Sequence, residues 1–103
     1  MLVKKQDFEI TNGTVFQRNQ DQTFAIVDDE IVLLNLSSGK YFALNHTASK
    51  IWTLLALPVS LKSIVEELLE EFDINEKDCE SDTYDCLEEM YENKLITQST
   101  LDT

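Results

Sequence analysis

Apolar positions change period once along this chain. Between Thr23 and Leu44 they come as short runs broken by turn-forming residues; beyond Thr47 they recur every three or four positions. The first pattern is that of strands and the second that of helices. Thr23–Val27 (TFAIV), Glu30–Leu36 and Lys40–Leu44 read as three strands, with Asp28-Asp29 turning between the first two and Ser37-Ser38-Gly39 between the second and third. Such short connections make neighbouring strands antiparallel. Asn45 stands where a helix N-cap belongs, and Ala48, Ile51, Trp52 and Leu55 then share one side of a first helix, Thr47–Leu55.

Leu57-Pro58-Val59 ends that helix, and Ser60 caps a second whose stripe is Leu61, Ile64, Val65, Leu68, Leu69 and Phe72. After a break at Asp73–Lys77, a third helix is predicted over Asp78–Asn93. It carries two apolar lines, Cys79-Thr83-Cys86-Met90 and Tyr84-Leu87-Tyr91. The first packs on the core. The second either widens that core face or forms half of a groove shared with the Lys40–Leu44 edge: Leu87 suits the core, while the tyrosine hydroxyls, which favour partly wet sites, suit either. Leu95-Ile96 fold back as an extended tail. Residues 1–22 are polar and read as a loosely held arm in which Thr14–Arg18 can form a short strand; the domain proper spans 23–96, and 97–103 are a C-terminal tail. The expected fold class is α+β, winged-helix-like, with a three-stranded antiparallel sheet followed by three helices.

A chain of 103 residues makes one domain with one modest core, and two glycines with one proline leave no room for a low-complexity linker. No apolar stretch reaches membrane-spanning length, and the start MLVKKQDFEI lacks the apolar run of a secretory signal, so the cytoplasm is the default location. The net charge is −12 and unevenly placed: Lys62 to Lys94 holds thirteen of the twenty acids against three lysines. An acidic helical half repels phosphate backbones, which argues against nucleic acid as a partner.

Candidate chemistry is sparse. Cys79 and Cys86 lie seven positions apart on one helix, about 10 Å along its axis and too far for a disulfide. Both read as small buried apolar groups. With His46 the sole histidine and no C-x-x-C pair, neither a structural metal nor another cofactor is expected. His46 itself falls in a helix first turn, usually a surface position. Glycine-rich phosphate loops and nucleophile elbows are missing, so the chain is not expected to be an enzyme.

Gly39-Lys40-Tyr41-Phe42, Leu44-Asn45, Thr47-Ala48, Ile51-Trp52 and Leu95-Ile96, in this order and spacing, resemble the PqqD-like family, the recognition elements of ribosomally made and later modified peptides. The likeness covers about Thr23 to Ile96. Asp29 stands where glycine is commoner in the first turn, Cys86 where a large apolar residue is usual, and Lys94 where glycine precedes the last leucine. The resemblance implies that the leader segment of a precursor peptide adds as a strand to Lys40, Tyr41, Phe42, Ala43 and Leu44. Its side chains would then face Tyr84, Leu87, Glu88 and Tyr91. It also implies a maturation enzyme as second partner, a leader protease or another modifying enzyme. A short chain with a polar N-terminal arm is most similar to the discrete recognition half of a split lasso-peptide processing protein. The rival readings are a structural or dimerising interaction module and, less favoured, a winged-helix DNA-binding protein, whose recognition helix would need bases. Between Ile51 and Glu76 the only base is Lys62.

Overall fold

The computed structural model describes residues 8, 10–11 and 13–100. Their order is β1 (Thr14–Arg18), β2 (Gln22–Val27), β3 (Glu30–Asn35), β4 (Tyr41–Ala43), α1 (His46–Leu54), α2 (Leu61–Glu71), α3 (Glu76–Glu92) and β5 (Ile96–Thr100). The expected three-stranded antiparallel sheet is present in the order β2-β3-β4, and three helices follow it. Among the described residues no helix is long and apolar enough to cross a membrane.

Turn and cap chemistry sets the boundaries. Asp28 and Asp29 sit at φ 52° and 68°, the left-handed pair that a two-residue hairpin requires, and Val27 closes against Glu30. Gly39, at φ 72°, lets its own N–H return to Asn35 O at 2.8 Å, while the buried Asn35 carboxamide accepts from Ser38 N at 2.9 Å. Asn45, Ser60 and Asn75 cap the three helices by accepting from Ala48 N, Ser63 N and Asp78 N. One core gathers Leu33 and Ile31 from β3, Ile51 and Trp52 from α1, Ile64 and Leu68 from α2, Leu87 and Met90 from α3, and Leu95 beyond it.

Two sequence expectations need correction. The short strand expected at Thr14–Arg18 is present, but the segment is not a loose arm where it is described: β1 pairs antiparallel with β5 from Thr14↔Thr100 to Arg18↔Ile96, forming a second small sheet. Phe16 is fully buried and exchanges backbone hydrogen bonds with Val59 at 2.7 and 2.9 Å. The partner of β1 lies some eighty residues away, so local pattern could not reveal what holds it. Residues 1–7, 9, 12 and 101–103 lie outside the described part, and the expectations for arm and tail are not carried there. On α3 the buried line is Cys79, Thr83, Leu87 and Met90, with Cys86 half-buried to one side.

The end of α3 accounts for one departure from the family pattern. Lys94 sits at φ 61°, its N–H bonds Tyr91 O at 3.0 Å, and Leu95 N bonds Met90 O at 2.9 Å. That is a helix stop whose left-handed residue is normally glycine, because a Cβ clashes there. Lys94→Gly is expected to raise unfolding stability by about 1 kcal/mol, read as a shifted urea midpoint at unchanged slope.

Candidate functional site

β4 is short because Asn45 begins the cap of α1, and it forms the outer strand of its sheet. Asn35 N bonds Lys40 O at 2.9 Å and Leu44 N bonds Ile31 O at 2.8 Å, so Lys40, Phe42 and Leu44 turn their backbone groups toward β3. Alternation then leaves the N–H and C=O of Tyr41 and Ala43 on the open edge. Phe42 pairs with buried Leu33 on the inner face, whereas Tyr41 is 72% exposed on the outer face. A strand added here would direct the side chain opposite Phe42, and those two positions to either side, toward the inner face.

On that side lies a cavity of about 390 Å³ between β4 and the C-terminal half of α3. Tyr41, Phe42, Ala43, Leu44, Asn45 and Ala48 line one side; Cys86, Glu89, Met90, Asn93 and Leu95 line the other. Apolar Phe42, Leu44, Ala48, Met90 and Leu95 share the lining with Asn45, Asn93 and Glu89, the one charged side chain in it. Next to it, sharing Asn93, a polar cavity of about 410 Å³ holds Lys40, Lys94, Asp21 and Glu92.

The structure therefore brings Tyr41, Phe42, Ala43 and Leu44 together at the cavity and sets Lys40 at its polar end. The expected far wall is different. Leu87 is fully buried in the core. Tyr84 and Tyr91 turn to the N-terminal segment, with ring centroids 5.3 and 5.4 Å from Phe8, and the Tyr84 hydroxyl donates to Phe8 O at 3.4 Å. Glu88 is half-buried and lines neither cavity. The wall is Cys86, Glu89, Met90 and Asn93, residues spaced three, four and seven apart on α3. That spacing was readable as a helical stripe, but its acid and amide disguised it as a solvated face.

Cys86 marks the wall chemically. Burial, and secondarily the charge of Glu89, push its thiol up to about 11, so it is protonated at neutral pH and a poor nucleophile or metal ligand. A raised thiol pKa favours the folded state while the unfolded thiol is also protonated. Its contribution is thus intact below the ordinary value of 9.0 and lost as pH rises through about 11. Two results are expected. Iodoacetamide should label Cys86 slowly at pH 8, and the stability lost between pH 8 and 11 should be smaller in Cys86→Ala. Among the described residues no group of three or more His, Cys, Asp or Glu side chains could hold a metal ion.

Comparison with known proteins shows the family. The family described as coenzyme PQQ synthesis protein D (PqqD) matches residues 30–96, from β3 to the start of β5. The solved structure "TbiB1 in Complex with the TbiA(beta) Leader Peptide" is 30% identical, with a TM-score of 0.73 over 84% of this chain and 99% of the other. "Lasso peptide synthetase B1 complexed with the leader peptide" is 27% identical, with a TM-score of 0.70 over 80% and 96%. No curated protein sequence matches the chain.

Proposed function

The chain belongs to the PqqD family, and we propose that it binds the leader segment of a ribosomally synthesised precursor peptide, without catalysing a reaction, and presents it to a maturation enzyme. The observation that carries the reading is the open β4 edge beside a cavity that Phe42, Leu44 and Met90 help to line. Two N–H and two C=O groups, of Tyr41 and Ala43, stand ready for strand addition where Phe42, Leu44, Cys86 and Met90 can receive side chains. Two similar structures are leader-peptide complexes, which supports the choice of ligand. One of them is a lasso peptide synthetase B1, so that class of product is favoured.

Main-chain bonds would set the register and alternate side chains the sequence. Glu89 favours a basic residue in the peptide at the α3 side of the cavity. Nucleic acid is the poorer ligand on charge, because α3 carries eight acids and one lysine. The test is fluorescence anisotropy of labelled leader peptides, taken from precursors encoded beside this chain, titrated with the protein and with Phe42→Asp. Saturable binding lost in the variant supports the reading; no binding of any such leader by the folded protein overturns it.

A further inference from the structure

The three-stranded sheet has a second open edge, and its chemistry differs from that of β4. By the alternation that turns Ile31 and Asn35 toward β4, the even-numbered residues of β3 face β2 and bond its odd-numbered residues. The N–H and C=O of Phe24 and Ile26 are therefore left on the free side of β2. Protein edges are normally guarded by lysine, proline or a bulge. β2 is QTFAIV, six residues without a charge or a proline, twice the length of β4.

Its inner face is also bare. Phe24 and Ile26 pair with the buried Leu33 and Ile31, yet they are themselves 45% and 68% exposed. Phe24 meets the Trp52 ring at 6.4 Å and the Arg18 guanidinium at 5.2 Å. Carboxylates bracket this strand at both ends, with Asp21 before it and Asp28, Asp29 and Glu30 after it.

We infer that the β2 edge is the docking edge for the enzyme that receives the leader, which would contribute an extended segment, apolar on one face and flanked by lysine or arginine. This rests on the proposed role in presenting a leader. A second copy of the chain suits the edge poorly. Antiparallel pairing about Phe24 sets Gln22 against Ile26 of the other copy and brings Asp21 beside the Asp28-Asp29 turn, acid against acid at both ends. A leader suits it poorly too, because neither cavity described above has a β2 residue in its lining. With leader on β4 and enzyme on β2, both become strands of one continuous sheet, about 19 Å apart across β4, β3 and β2. That proximity raises the effective concentration of the leader-bound precursor at the enzyme.

The experiment follows amide exchange by NMR in the full chain, alone, with a leader peptide, and with the purified maturation enzyme encoded beside it; the enzyme is then titrated against Ile26→Lys. Ile26 is largely exposed, so the variant should melt as the wild type does. The enzyme should slow exchange at Phe24 and Ile26, the leader at Tyr41 and Ala43, and Ile26→Lys should weaken enzyme binding at least tenfold while leader affinity stays within twofold. Equal binding of the enzyme to the variant, protection by the enzyme away from β2, no enzyme binding, or self-association through β2 in sedimentation would each overturn the inference. A leader that fails to protect Tyr41 and Ala43 counts instead against the function proposed for β4, and is read separately.

Discussion

Ala43→Pro is expected to reduce the affinity for a leader peptide at least tenfold while leaving the folded protein intact. The reason lies in which way each amide of β4 points. Ala43 N–H faces the open edge, so proline removes no bond to β3; the adjoining inward bonds, Lys40 O with Asn35 N and Leu44 N with Ile31 O, are kept. Proline is tolerated on edge strands for this reason. An incoming strand loses one of the two outward donors, about 1 kcal/mol, and meets the pyrrolidine ring where its own carbonyl would approach. Together these exceed the roughly 1.4 kcal/mol that corresponds to tenfold. Anisotropy titration measures the loss, and a circular-dichroism melt verifies the fold. Unchanged affinity would mean that the leader does not add to this edge.

Leu87→Ala should have the largest effect on stability, about 2–5 kcal/mol. Leu87 is fully buried within the single core cluster, and truncation leaves a cavity that the surrounding α3, α2 and sheet residues fill only in part. Small domains are stable by about 5–15 kcal/mol in all, so the variant should unfold at a much lower urea concentration. Cys86→Ala, one position earlier on the same helix, should cost far less, because its side chain is small and borders the cavity beside β4. A mild effect at Leu87 together with a large one at Cys86 would show that α3 is turned by about 100° relative to this structure.

Local signals carried much of this protein. The Asp28-Asp29 turn, the Gly39 turn and the caps at Asn45 and Ser60 stand where residue type and spacing placed them, and the strands and helices fall within a few residues of their expected bounds. The β4 side of the groove was legible for the same reason: it is one continuous segment, Tyr41 to Leu44, ending at a cap. Lys40 was read as part of that edge but lines the polar cavity at its end.

The facing wall was not legible from α3 alone. Stripes one residue apart on a helix differ by about 100° of rotation, and Tyr84-Leu87-Tyr91 is as good an apolar line as Cys79-Thr83-Cys86-Met90. What decides between them is distant in sequence. Phe8 covers Tyr84 and Tyr91, Phe16 packs beneath Phe8, and β1 is held there by β5. Sequence by itself determined the elements, their order and one edge of the groove, because turns, caps and periods are short-range. Only the tertiary structure decided how α3 is rotated, and with it which residues face the groove, because that rotation is set by contacts between the two ends of the chain.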